Sequence, residues 1–226
     1  MRASRVDDGR RVYFLLSELD PAEWEAGREL AYNEVDAGLA KVFADDAPGL
    51  NLASEGFVRY ARSMVRQTAG LEPVPWEAAL SAFMALVRGH DVNWWLAGST
   101  ALAARGLAVV PRDIDVITNG DGAQALQELL AEHLVEPLVR NENWIAEWWG
   151  RAFLGARVEW VGGVRSGVDL PSPADFGPIA EARLEAVTWR GKTLQVPPLD
   201  LQLAVARRRG LTRRVVVIQE ALDMTV

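Results

Sequence analysis

Between residues 54 and 67 the apolar positions Phe57, Tyr60, Ala61, Met64 and Val65 recur at three- and four-residue steps, which predicts an amphipathic helix. Residues 12–19 (VYFLLSEL) read as a short strand or buried turn. Asp20-Pro21 then reads as a helix start, with Asp at the N-cap and Pro at the first helical position. The composition of residues 22–43 predicts that this helix runs on to about Phe43, ahead of a loop at 45–51. Residues 68–75 (TAGLEPVP) hold a glycine and two prolines and mark a boundary, after which 76–88 predicts a third helix.

Past Gly89 the pattern changes. Residues 92–97 (VNWWLA) read as a buried strand, broken by Gly98-Ser99, and residues 100–105 as a short helix stopped by Gly106. Residues 113–118 predict a second strand and 122–133 a helix. Further strands are expected at 134–140, 144–149, 152–160 and 183–189, then a helix at 199–209. Residues 212 onward are read as helix, although Val215-Val216-Val217-Ile218 prefers strand. This order predicts an α+β fold: a mixed β-sheet flanked by helices, with a mainly helical N-terminal part. The expected division is 1–78, a region with no assigned role, and 79–226.

Composition narrows the chemistry. The chain has 226 residues, half of them apolar, which is enough for a sizeable core. It has no cysteine and two histidines, His90 and His133, so disulfides, thiol nucleophiles and histidine-rich metal sites are excluded. The lack of cysteine suits a cytoplasmic protein, and neither a targeting segment nor a membrane span is visible. The net charge of −7 disfavours a dedicated sequence-reading DNA binder. Of the nine tryptophans, the pairs Trp94-Trp95 and Trp148-Trp149 lie in apolar runs and are expected in the sheet core.

The chemistry concentrates in Leu96-Ala97-Gly98-Ser99 and, 13 residues on, Arg112-Asp113-Ile114-Asp115-Val116-Ile117. On a strand, residues two apart leave the same face, so Asp113 and Asp115 point together while Ile114 and Val116 enter the core. Two like charges so placed repel, and a divalent cation between them removes the penalty. Mg²⁺ is held in this way, through one or two carboxylates and substrate phosphates. Gly98, with no Cβ, lets a phosphate approach the backbone, and Ser99 is expected at an N-cap with helix N–H groups facing outward.

Gly98-Ser99, the spacing and Asp113-Ile114-Asp115 resemble the hG[GS]-x(9–13)-Dh[DE]h signature of the nucleotidyltransferase superfamily, which shares the palm-like fold of DNA polymerase β. The resemblance covers about residues 90–226. It implies a nucleotidyltransferase-like sheet and a third carboxylate on a later strand, and Val158-Glu159-Trp160 matches that pattern. Glu147 and Asp169 are the substitutes if the hairpin register differs. Pro197-Pro198-Leu199-Asp200-Leu201 also resembles the tail of small bacterial antibiotic-modifying and toxin-type members.

The resemblance implies an enzyme that moves a nucleoside monophosphate from an NTP, ATP first, to an acceptor hydroxyl and releases pyrophosphate. Asp113 and Asp115 then hold Mg²⁺, with Mn²⁺ as substitute. Glu159 is the third ligand or the base, and Gly98, Ser99 and Arg112 contact the nucleotide. A small molecule is the first acceptor expected. An RNA end, reached through Arg207, Arg208 and Arg209, or a protein is the alternative. Arg207, Arg208, Arg209, Arg213 and Arg214 form one basic cluster, suited to triphosphate or an RNA backbone, and for the first three, charge at a helix C-terminus is the simpler account. The competing reading is a catalytically inactive module that keeps the fold for binding or regulation.

Overall fold

The computed structural model describes residues 1–141, 145–165 and 177–224. The chain forms two compact units. The first comprises Met1–Arg88, Ala125–Val139 and Gly150–Val158, and the second Gly89–Gln124, Arg140–Trp149 and Glu159–Val226.

In the first unit, β1 (Arg2–Asp7), β2 (Arg11–Ser17), β3 (Asn33–Val35) and β4 (Gly38–Ala44) form an antiparallel sheet in the order β1-β2-β4-β3. Alternation along β2 buries Val12, Phe14 and Leu16 completely. Helix α1 (Pro21–Glu29) starts with a full capping box: Asp20 accepts from the Glu23 backbone, and the Glu23 side chain accepts from the Asp20 N–H. The helix expected across 22–43 stops at Glu29, and strands β3 and β4 follow. The chain leaves the helix at Leu30 and the left-handed Ala31, and it turns between β3 and β4 at Gly38, whose φ is +140° and where a Cβ would stand 2.1 Å from the Leu16 carbonyl oxygen. Only glycine lets the chain turn there and pair with β2.

Helix α2 (Leu50–Thr68) lays Ala53, Phe57, Ala61 and Met64 against this sheet. Phe57 stacks on Phe14 at 4.8 Å and on Tyr32 at 5.9 Å between ring centres. Helix α3 is Trp76–Leu86. Strand β7 (Leu134–Arg140) adds Glu136, which is fully buried. Lys41 Nζ donates to it at 2.7 Å, Arg151 Nη1 forms a second ion pair with it, and the Tyr32 hydroxyl donates at 3.1 Å. Burial, then the Glu136 charge, pushes the Tyr32 phenol well above its usual range.

In the second unit, β5 (Trp94–Leu96) pairs antiparallel with β6 (Ile114–Thr118). The order continues to the Glu159–Val164 part of β9 (Arg157–Val164), then to the Ala146–Trp149 part of β8 (Ala146–Phe153). Residues 146–164 form one hairpin turning at 154–156, where Gly155 has φ +88°, so β8 runs through Gly150 rather than ending at Trp149. Helix α4 (Gly98–Ala104) follows β5, and α5 (Gly120–Leu129) follows β6. Strands β10 (Glu185–Trp189) and β11 (Lys192–Val196) form a hairpin after the short α6 (Pro178–Glu181). Lys192 thus opens a strand, the turn itself being Arg190-Gly191.

The last helices, α7 (Leu199–Arg208) and α8 (Thr212–Asp223), pack as a hairpin. Leu203, Ala206 and Ile218 meet Leu102 of α4 in a common cluster. Thr212 onward is helical because Ile218 and the half-buried Val215 and Leu222 fall on one face, which overrides the strand preference of the β-branched run. Both observed units are α+β. Among the described residues, no helix is long and apolar enough to cross a membrane.

Removing Glu136 strands two cations in the interior. Glu136→Ala is expected to lower the unfolding free energy by about 3–5 kcal/mol. Urea denaturation of wild type and variant measures this, and an unchanged midpoint would refute a stabilising role for the cluster.

Candidate active site

The β5–β6 ladder delivers the glycine to the carboxylates. Trp95 faces Ile117, Leu96 faces Val116, and the Ala97 N–H donates to the Asp115 carbonyl at 3.0 Å. The chain must then leave the sheet, and Gly98 does so with φ +58°. A Cβ on Gly98 would lie 2.0 Å from Asp115 Oδ2. The glycine of the motif is therefore required twice, by its backbone conformation and by the carboxylate in the space beside it.

Asp113 stands at the bend before β6 and Asp115 within it. Glu159 lies on β9 between the buried Val158 and Trp160. Thr100 Oγ1 donates to the Asp113 carbonyl at 2.6 Å, tying α4 to that bend. The three carboxylates are half-buried, and an oxygen of each lies within 4.8 Å of the others. Three such charges repel strongly when partly desolvated. An all-oxygen donor set suits a hard divalent cation, and neither histidine of the chain is part of it.

Ser99 is not a cap. The N-cap is Ala97, α4 begins at Gly98, and Ser99 is buried in its first turn. Arg112 is exposed at the bend before Asp113. Glu147 is occupied elsewhere, since Arg140 Nε donates to its Oε1 at 2.8 Å. Asp169 lies outside the described residues.

A cavity of about 490 Å³ opens at this point, and its lining includes Gly98, Asp115 and Glu159. Among the described residues, Ile117, Val161, Trp149 and Ile218 add apolar groups to it, and Arg208, Arg209 and Arg214 add basic ones. Two of these features depart from the expectations. Trp149 is half-buried and lines the cavity, whereas Trp95 is core. The arginine cluster divides, for Arg207 donates to Gln219 at 2.9 Å while Arg208 and Arg209 face the cavity. In the sequence, only the Arg-rich composition signalled these lining residues.

The segment that carries Gly98, Asp113 and Asp115 lies in a stretch similar to one known family. Residues 79–144, which include Gly98, Asp113 and Asp115, match the family model of aminoglycoside-2''-adenylyltransferase. Three solved structures are similar at low identity. One is a Thermotoga maritima protein described as a nucleotidyltransferase (20% identity, 64% of this chain and 91% of that chain, TM-score 0.49). The others are ANT(2'')-Ia in complex with adenylyl-2''-tobramycin (12%, 65% and 89%, TM-score 0.44) and the solution structure of ANT(2'')-Ia (12%, 65% and 90%, TM-score 0.39). No curated protein sequence matches the chain.

Gly98→Ala is expected to lower stability by about 1–3 kcal/mol through left-handed strain and the displaced Asp115 carboxylate. Thermal stabilisation by Mg²⁺ or Mn²⁺ is expected for the wild type and should be mostly lost in the variant. Thermal unfolding with and without metal tests both effects; a variant stabilised by metal like the wild type would show that the Gly98–Asp115 approach is dispensable.

Proposed function

We propose that this enzyme transfers a nucleoside monophosphate from an NTP, ATP first, to the hydroxyl of a small-molecule acceptor. The observation that carries the reading is the convergence of Asp113, Asp115 and Glu159 within 4.8 Å beside Gly98. The acceptor oxygen forms a bond to the α-phosphorus, the bond from that phosphorus to the β-phosphate bridging oxygen breaks, and pyrophosphate leaves. The hydroxyl proton passes to a carboxylate or to water.

Asp113 and Asp115 hold Mg²⁺, with Mn²⁺ as substitute. When bound, the metal neutralises charge on the reacting phosphate. Glu159 completes the ligand set or takes the hydroxyl proton. Gly98 leaves the backbone open to phosphate, while Ser99 and Arg112 are the further nucleotide contacts of this reading. The apolar residues Ile117 and Val161 offer surface for the base, and the cavity volume falls in the range of small-molecule sites. Most of the rate enhancement then comes from positioning and electrostatics.

A small acceptor is favoured over an RNA end. The net charge is −7, and Arg207 of the basic cluster is engaged with Gln219. The description of the matching family, which names an aminoglycoside, also points to a small molecule. Residues 79–226 carry this chemistry and residues 1–78 its accessory part. The absence of cysteine suits the reducing cytoplasm.

Calorimetric titration of ATP, GTP, CTP and UTP, with and without Mg²⁺, tests the reading on wild type and on Asp113→Ala/Asp115→Ala. Metal-dependent binding of one nucleotide, lost in the double variant, is the expected result. If the folded wild type binds none of the four, the proposal fails. With an acceptor in hand, Glu159→Gln is expected to reduce kcat by about 10²–10⁴ if Glu159 acts as the base.

A further inference from the structure

Part of the cavity lining is one face of the sheet in the second unit. Asp115 and Ile117 are two apart on β6, and Glu159 and Val161 are two apart on β9, so each pair leaves a single face. Asp115 meets Glu159 in the carboxylate cluster. Ile117 packs with Val161 and with Trp95, its partner across the β5–β6 ladder. This face therefore carries two rows, one of carboxylates and one of apolar groups, about 7 Å apart.

Trp149 extends the apolar row. The Arg165 N–H donates to the Ile145 carbonyl at 3.1 Å, and this register of the β8–β9 hairpin sets Trp149 opposite Val161, on the same face. At the β5 end of the row Trp95 is 2% exposed and belongs to the core. At the β8 end Trp149 is half-buried and lines the cavity. An indole there offers a broad apolar face to a ligand, at little cost in side-chain freedom.

Which reactant meets this indole follows from the line of displacement. The attacking and leaving oxygens stand on opposite sides of the reacting phosphorus. In the transferase reading the leaving phosphates lie beside Gly98, at the end of β5, and the phosphorus lies at the carboxylates of β6 and β9. The acceptor hydroxyl then approaches from the side away from Gly98. In the strand order β5-β6-β9-β8, that is the side of Trp149.

We propose that Trp149 is the platform on which the acceptor stacks, so that the acceptor carries a flat apolar face beside its hydroxyl. The inference rests on the transferase reading and goes beyond it by naming a residue that selects the acceptor by shape. Two kinds of compound present such a face, the C–H side of a sugar ring and an aromatic ring, whereas an open-chain polyol does not. Val161 and Ile117, one and two strands nearer Gly98, remain the surface for the base.

To test this, the full chain is loaded with α,β-methylene ATP and Mg²⁺ and titrated, under saturation-transfer NMR, with methyl α-D-glucopyranoside, benzyl alcohol and glycerol. At least one ring compound is expected to bind wild type more tightly than glycerol does. In Trp149→Leu, checked for fold by circular dichroism, its affinity should fall about fivefold or more beyond any change in nucleotide affinity measured by calorimetry. Trp149→Phe should restore most of the loss. In wild type labelled with 5-fluorotryptophan, the Trp149 resonance, assigned by its absence from Trp149→Phe, should shift when the ring compound is added.

A response to the glucoside assigns a sugar face and a response to benzyl alcohol an aromatic one; either supports the platform. If neither ring compound binds nucleotide-loaded wild type, the proposal is overturned. Equal binding to wild type and the leucine variant, or an unmoved Trp149 resonance, overturns it too. So does a leucine variant whose nucleotide affinity falls as far as its ring affinity, since the indole then serves the base. A wild type that binds no nucleotide sinks the transferase reading instead, and Trp149-dependent binding of a ring compound would survive that result.

Discussion

The contact between Gly98 and Asp115 is the constraint on which the site depends. Antiparallel pairing of β5 with β6 brings the end of one strand beside the start of the other. The chain therefore leaves the sheet where a carboxylate already occupies the space a side chain would need. That single close approach fixes the origin of α4, and Thr100 of α4 in turn fixes the bend at Asp113. Leu102, one turn further on, anchors the α7–α8 hairpin. A local steric requirement thus extends through α4 to the α7–α8 hairpin.

The cavity is lined by Asp115 and Glu159, by Arg208, Arg209 and Arg214, and by apolar side chains. Its two charged parts also differ in origin. The carboxylates sit on or beside strands braced by buried neighbours, Ile114 and Val116 for one and Val158 and Trp160 for the other. The arginines sit on a helix end, a cap and a first turn.

Local chemistry was legible in the sequence, and tertiary direction was not. The Gly98-Ser99 to Asp113-Asp115 spacing and the apolar flanks of Glu159 marked residues that the fold brings together, because alternation along β6 and β9 sets the face that Asp115 and Glu159 leave. The Asp20 cap was equally readable, since its partner Glu23 is three residues away. The stretch after Glu29 was misread because its residues suit a helix, while the pairing that makes it a hairpin depends on Leu16, far off in sequence. Strands β1 and β11 escaped notice because each is specified by its partner more than by its own pattern. Ser99 looked like a cap because the register of α4 is set by Gly98 and Ala97, a difference of two residues that composition does not reveal.

The path of the chain has a consequence for how the protein is made. The first unit draws on residues up to Val158, with two segments of the second unit threaded between its parts. A ribosome releasing about 5–20 residues each second has the first 88 residues outside for roughly 4–14 s before the last strand of that unit exists. Until residues 134–136 are made, Lys41 has no Glu136 to meet, and the apolar face of α2 lacks the strand that will pass Gly56 with a carbonyl oxygen 1.9 Å from where a Cβ would be. Neither unit can be cut out as one continuous fragment. The nascent chain must keep its leading half soluble until the middle of the sequence arrives, and the acidic excess of the protein serves that wait as well as the finished surface.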